Sequence, residues 1–167
     1  MQVYINDFIK KGVIKMAYAI TGDCTGCTSC TTICPTGAIS GQRKTMHKID
    51  PEKCIHCGGC SMICPADAVT DSLGNRLIHV KRSQWPKPVI SLEKCYSCGA
   101  CAEMCPAGCI EMRIPESGPL NPKNSREEYA VFVHPKKCVS CGWCAEYCGF
   151  QSIEMKVPEP QKKKEEE

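Results

Sequence analysis

Large aromatic groups are scarce in this chain: aromatics fill 6% of its 167 positions, with only two Trp and three Phe. A chain of this length with so few large apolar side chains cannot build a large core by burial alone, so something else must help to hold it. Long apolar runs are missing as well, which excludes a membrane-spanning segment. The opening stretch MQVYINDFIKKGVIKM has no apolar run of secretory length, because Asp7, Lys10, Lys11 and Lys15 interrupt it. No Arg-Arg pair near the start marks twin-arginine export, which leaves only carriage by a signal-bearing partner as an export route. A cytoplasmic location is therefore expected, where thiols stay reduced. No Ser-His-Asp set, phosphate-binding glycine loop or pair of catalytic carboxylates can be singled out, and catalysis by this chain alone is not expected. Nor is nucleic-acid binding, since basic residues such as Lys81, Arg82 and Lys87 are scattered rather than striped.

Cysteine is what the chain has in excess, with 17 residues. So high a fraction means a disulfide scaffold or a metal protein, and a reducing compartment favours the second. Sixteen of the cysteines fall into four sets of spacing C-x2-C-x2-C-x3-C: Cys24/Cys27/Cys30/Cys34, Cys54/Cys57/Cys60/Cys64, Cys95/Cys98/Cys101/Cys105 and Cys138/Cys141/Cys144/Cys148. The repeat extends beyond the thiols. PTGAI, PADAV, PAGCI and GFQSI follow the four sets, and AITGDC, KIDPEKC, VISLEKC and VFVHPKKC lead into them. Each copy reads as a short β segment, a turn, a cysteine loop, one helical turn after the fourth Cys, and another β segment. A Pro directly after the fourth Cys suits a helix start.

Spacing along the chain divides these copies into two halves. The expected organisation is an N-terminal extension over 1–16, a first module over 17–80, a linker over 81–88 containing Trp85, Pro86 and Pro88, a second module over 89–157 with a loop insert over 113–130, and a disordered charged tail over 158–167. Prolines at alternate positions favour an extended backbone in the linker. The extension reads as an extra strand or short amphipathic piece packed on the first module, with a docking arm as the alternative.

Three cysteines at i, i+3 and i+6 on a curving loop can converge on one face of an iron–sulfur cubane. The fourth is poorly placed to reach back to the same cluster. Structural zinc instead takes paired C-x2-C knuckles separated by a longer spacer, a plan that these runs do not follow. The C-x3-C-x2-C spacing typical of radical-generating clusters is also absent.

These four runs resemble the bacterial-type 2[4Fe-4S] ferredoxins, doubled into a four-cluster polyferredoxin. AYAITGDCTGCTSCTTICPTGAI looks like the start of a small clostridial-type ferredoxin, with Met16 where such a protein would begin. The resemblance covers residues 17–70 and 88–157. It implies an α+β fold of two tandem modules, each made of short β-hairpins and short helices wrapped around two clusters. It also implies crossed ligation, in which the fourth Cys of one motif serves the cluster of the other. Four [4Fe-4S] clusters would then be held by Cys24, Cys27, Cys30 and Cys64; by Cys54, Cys57, Cys60 and Cys34; by Cys95, Cys98, Cys101 and Cys148; and by Cys138, Cys141, Cys144 and Cys105. With each oxidised cluster contributing about −2, the filled chain would carry about −5 rather than the formal +3.

The function so implied is electron transfer, with four clusters in one chain forming a wire. In size and cluster count the chain is similar to the small polyferredoxin subunits of multi-subunit tungsten aldehyde oxidoreductases, so its expected partner is a catalytic subunit carrying tungsten or molybdenum. Head-to-tail self-association into rings or filaments is a further expectation of a linear two-module layout. The alternatives are a free polyferredoxin shared by several enzymes and a structural metal-binding module without a redox role.

The fourth motif departs from the family in continuing as Cys-Gly-Phe where the others have Cys-Pro. The seventeenth cysteine, Cys109, aligns with Ala38, Ala68 and Ser152 and is expected to be a small buried residue. Among His47, His56, His79 and His134, only His56 lies inside a cysteine loop. There it could tune a cluster, though covering it is the plainer role, as for Tyr96 and Trp143.

Overall fold

The computed structural model describes residues 17–114 and 128–158. The extension expected over 1–16, the charged tail from 159 onward and the middle of the expected insert lie outside the described residues. The chain divides into two compact units between Val80 and Lys81.

In the first unit, strand β1 (Ala19–Ile20) precedes the first cysteine loop, followed by helix α1 (Ser29–Ile33) and a hairpin of β2 (Ile39–Ser40) and β3 (Lys48–Ile49). Helix α2 (Gly59–Ile63) follows the second loop and leads to β4 (Val69–Thr70) and β5 (Arg76–Leu77). The outermost strands pair with each other, Ala19 with Thr70 and Ile20 with Val69, and the hairpin pairs Ile39 with Ile49. Strand β5 adds to the edge of β4 across a turn in which the Asp71 carboxylate accepts from the Leu73 and Asn75 backbone N–H groups.

The second unit repeats this order. A 3-10 turn (Arg82–Gln84) leads into β6 (Lys87–Ile90), then come helix α3 (Ala100–Glu103), β7 (Ile110–Arg113), β8 (Tyr129–Phe132), helix α4 (Trp143–Glu146) and β9 (Ile153–Lys156). Here the first strand pairs with the last, over four residues from Lys87–Lys156 to Ile90–Ile153. The inner hairpin pairs Ile110 with Phe132 and Arg113 with Tyr129. All these pairings are antiparallel.

Two expectations need correction here. The short helices lie between the third and fourth cysteines, not after the fourth. Cys34 and Cys64 are extended caps with ψ of 113° and 110° that end α1 and α2. Proline explains this, because its ring pushes the preceding residue out of the helical region. Pro35 and Pro65 therefore close a helix and open a turn. Residues 81–88 are also not a free linker. Trp85 is completely buried with the Arg82 guanidinium 4.9 Å and the Lys87 ammonium 5.6 Å from its ring centroid. Pro88 is paired with Met155 within β6, where a two-stranded sheet tolerates its missing donor. The insert expected over 113–130 begins and ends inside paired strands, at Arg113 and at Tyr129 and Ala130.

Candidate metal centre

The four cysteine loops share one backbone. In each, the residue just before the second Cys has positive φ: Gly26 (66°), His56 (58°), Ser97 (55°) and Ser140 (58°). The residue just after it does too: Thr28 (70°), Gly58 (74°), Gly99 (82°) and Gly142 (81°). The second of these is also the N-cap of the short helix that carries the third Cys. Left-handed residues alternating with ordinary ones curl the chain and turn successive N–H groups inward, the kind of concavity that receives anions. Positive φ is costly outside glycine, so His56, Ser97 and Ser140 show how strongly this loop shape is required. At Gly26 a side chain would have no room, since a Cβ would fall 2.4 Å from the Thr45 backbone nitrogen.

A third left-handed residue follows each fourth Cys: Gly37, Asp67, Gly108 and Gln151. It brings the next backbone N–H back onto that sulfur. The N–H groups of Ala38, Ala68, Cys109 and Ser152 donate to Cys34, Cys64, Cys105 and Cys148 Sγ at 3.3, 3.4, 3.1 and 3.3 Å. The four donors are all buried, which gives the small slot of the repeat its reason. Cys109 occupies that slot as a buried residue. Gly149 and Gln151 of the departing fourth motif form the same turn without a proline, with Gln151 N–H on the Cys148 carbonyl at 3.0 Å.

Three cavities lie against these sulfurs. One, of about 310 Å³, is lined by Cys24, Cys27, Cys30 and Cys64 together with His47 and Val69. A second, of about 340 Å³, is lined by Cys54, Cys57, Cys60 and Cys34 with Tyr18 and Ile39. The third, of about 350 Å³, is lined by Cys138, Cys141, Cys144 and Cys105 with Cys109 and Phe132. Each therefore receives three sulfurs from one loop and one from the other motif of the same unit. For the remaining set, burial first and then the charged forms of Cys95, Cys98 and Cys148 raise the Cys101 thiol.

The third Cys of every motif is buried. Burial and the neighbouring thiols push Cys30 and Cys101 up to about 11, and Cys60 and Cys144 up to about 12. A lone thiolate is thus unfavourable at these positions at neutral pH, and a bound cationic centre reverses that balance. Cys148 goes the other way: burial raises it, but the Ser152 hydroxyl at 3.1 Å and the Ser152 N–H outweigh that and bring it below the usual thiol value. Among the described residues, no group of three or more His, Cys, Asp or Glu side chains is placed to hold a single metal ion. A ring of four thiols around a cavity is instead the donor set that a multi-iron cluster takes.

His56, within the second loop, has its ring centroid 6.1 Å from that of Tyr18, and burial holds its imidazole below the usual histidine value. Tyr96 and Phe150 stack at 4.9 Å while each stays 47% exposed. Two residues against the cavities, Tyr18 and His47, were not singled out by sequence reading. For His47 the usable signal is its place two residues before Ile49, which puts it on the Ile49 face of the hairpin.

The fold and its sulfur cages define an iron–sulfur protein of the ferredoxin type. Comparison with known proteins agrees. The family model "4Fe-4S dicluster domain" matches residues 23–68 and 94–152, and a second model of the same description matches residues 53–110. The chain belongs to the 4Fe-4S dicluster domain family. A ferredoxin-like protein in the nif region of Nostoc sp. is 49% identical over 39 residues, covering 23% of this chain and 34% of the relative. Its counterpart in Trichormus variabilis is 46% identical over the same length. The chain thus spans about a third of the length of these curated relatives. Among solved structures, a chain of the formate dehydrogenase, heterodisulfide reductase and formylmethanofuran dehydrogenase complex of Methanospirillum hungatei aligns with 93% of this chain and 58% of its own. The sequence identity is 22% and the TM-score 0.42. No helix among the described residues is long and apolar enough to cross a membrane.

Proposed function

We propose that the sixteen motif cysteines hold four [4Fe-4S] clusters in crossed sets. These are Cys24/Cys27/Cys30 with Cys64, Cys54/Cys57/Cys60 with Cys34, Cys95/Cys98/Cys101 with Cys148, and Cys138/Cys141/Cys144 with Cys105. Each compact unit is then a two-cluster module. The observation that carries this reading is the lining of the three cavities, each with three sulfurs from one loop and a fourth from its partner motif. When bound, such clusters supply one-electron exchange with little rearrangement of their ligands. The chain's own part is to fix the sulfurs, to direct backbone N–H groups at the fourth ligand of each set, and to bury the third.

The function is electron transfer, without catalysis by this chain. Four clusters exceed what a shuttle needs, so the chain serves as the wire of a larger oxidoreductase. A tungsten or molybdenum enzyme is the favoured partner, an aldehyde oxidoreductase above others, because of the likeness in size and cluster count. Electrons could also pass between copies stacked head to tail. A second reading is a polyferredoxin shared by several enzymes, consistent with relatives that are ferredoxin-like by name.

Anaerobic purification of the untagged protein from its host, with metal analysis and mass spectrometry of what accompanies it, tests both. About sixteen irons per chain are expected, together with a stoichiometric large subunit holding tungsten or molybdenum. Sixteen irons on a chain that elutes alone would favour the shared carrier. A monomer at high concentration and in its native complex would end the stacking proposal.

A further inference from the structure

The four motifs share a point at which one residue differs in charge from the other three. The residues five places after the fourth cysteines are Ile39, Val69, Ile110 and Ile153, and they pair with Ile49, Ile20, Phe132 and Ile90. Three residues before those partners stand Met46, Ala17, Tyr129 and Lys87. Lys87 is the one cation of the four. Its neighbour Pro88 lines the cavity of Cys138, Cys141, Cys144 and Cys105. In the same way Tyr18, the neighbour of Ala17, lines the cavity of Cys54, Cys57, Cys60 and Cys34.

Lys87 is held against the first cysteine of the fourth loop. It is half-buried, and its ammonium donates to the Cys138 carbonyl at 3.0 Å. It shares the fully buried Trp85 ring with the Arg82 guanidinium, which in turn donates to the Lys136 carbonyl. Two cations of the entry segment thus grip the residues that lead into the fourth loop. An ammonium carries three hydrogens and accepts none, so the Cys138 carbonyl leaves two N–H groups for other acceptors. Burial first, and the Arg82 charge with it, lower the Lys87 ammonium from its usual value, while the charged forms of Cys138 and Cys109 and a side-chain hydrogen bond with Cys138 favour it. The ammonium is the ordinary form of lysine at neutral pH.

We propose that Lys87 supplies a fixed positive charge beside the Cys138/Cys141/Cys144/Cys105 centre and holds that centre at a higher potential than its cysteines alone would set. The inference rests on the four-cluster reading. Net charge is among the levers by which a protein sets cluster potential. The reduced state carries one more negative charge than the oxidised state, so a nearby half-buried cation stabilises it more. With Ala17, Met46 and Tyr129 at the equivalent places, the effect is confined to one centre of the four.

The test is a redox titration of the intact loaded chain followed by electron paramagnetic resonance, for the native protein, Lys87→Met and Lys87→Arg. Lys87→Met is expected to lower one midpoint, by about tenfold in the reduction equilibrium, or about 59 mV for one electron, and to leave the other three in place. Lys87→Arg keeps the charge and should hold that midpoint near its native value. A Lys87→Met protein with about sixteen irons and four unchanged midpoints overturns the inference while leaving the four-cluster reading intact. An equal fall in Lys87→Arg also overturns it, since the side chain would then act through packing rather than charge. A native chain that binds far fewer irons overturns the four-cluster reading itself. If Lys87→Met fails to assemble, Lys87→Gln decides the matter, because it keeps an N–H for the Cys138 carbonyl and removes the charge. One lowered midpoint in that variant supports the inference, and four native midpoints reject it.

Discussion

The first and second units carry the same cysteine plan on unequal protein support. In the first, every strand is two residues long. Its buried apolar cluster is Cys30, Ile39, Cys60 and Val69, so half of it is motif cysteine. In the second, the strands are four residues long, and Ile110, Tyr129, Ala130 and Ile153 join Cys95, Cys101 and Cys144 in the core. Trp85 adds a further buried aromatic. Longer ladders and more buried apolar area mean that the second unit holds more of its structure in side chains and backbone pairing. The first depends more heavily on what its sulfurs bind.

Removal of iron should therefore separate the two units most sharply. When a chelator is added to the reduced protein, amides of β1 and β4 should lose hydrogen-exchange protection before those of β6 and β9; simultaneous loss would mean that the extra core of the second unit is not supporting it. Next in size, Cys34→Ala should cost about four of the sixteen irons. The affected centre should be that of Cys54, Cys57 and Cys60, with the Cys24/Cys27/Cys30 centre spared. Spectra of the variant in a Cys24→Ala background would show whether the two losses add, as crossed ligation requires, or fall on one centre.

Trp85→Ala should destabilise the second unit by about 3–5 kcal/mol, the usual cost of deleting a large buried aromatic. The readout is exchange at the β6 and β9 amides, with those of the first unit unchanged; equal loosening of both would contradict the assignment of residues 81–88 to the second unit. The smallest effect is expected at Ser152, whose hydroxyl lies 3.1 Å from Cys148 Sγ where the first unit has Ala38 and Ala68. Ser152→Ala removes a bond worth about 0.5–1.5 kcal/mol. It should raise the Cys148 thiol in the cluster-free chain, because the hydroxyl is among the groups holding it down. In the loaded chain it should lower one midpoint slightly.

Much of the candidate site was legible from spacing. The runs of thiols, the small slot occupied by Ala38, Ala68, Cys109 and Ser152, and the flanking β segments follow from the repeat. The helices were misplaced because proline was read as a helix opener, while its effect on the residue before it prevailed. Alternate prolines point to a linker over residues 81–88 because they favour extension. Extension is also what a strand needs, and Trp85 had no visible burial partner until the chain closed over it. The burial of His47 escapes the sequence for a similar reason: it depends on the face of the hairpin on which the residue falls.

The amino-acid sequence by itself determined the chemistry of this protein. Four runs of cysteine with the same internal spacing, with residues that accept a left-handed backbone between the thiols, set the donor atoms and the loop shape locally. Spacing points to the pairing of the runs in two halves, although a dicluster match also falls across the second and third runs. The tertiary structure decided that, because only the antiparallel closure of β1 on β4 and of β6 on β9 brings a fourth cysteine to the partner loop. The two units bury different residues around this shared plan, His47 in the first and Trp85 in the second, so that motifs alike in sequence come to stand in different surroundings.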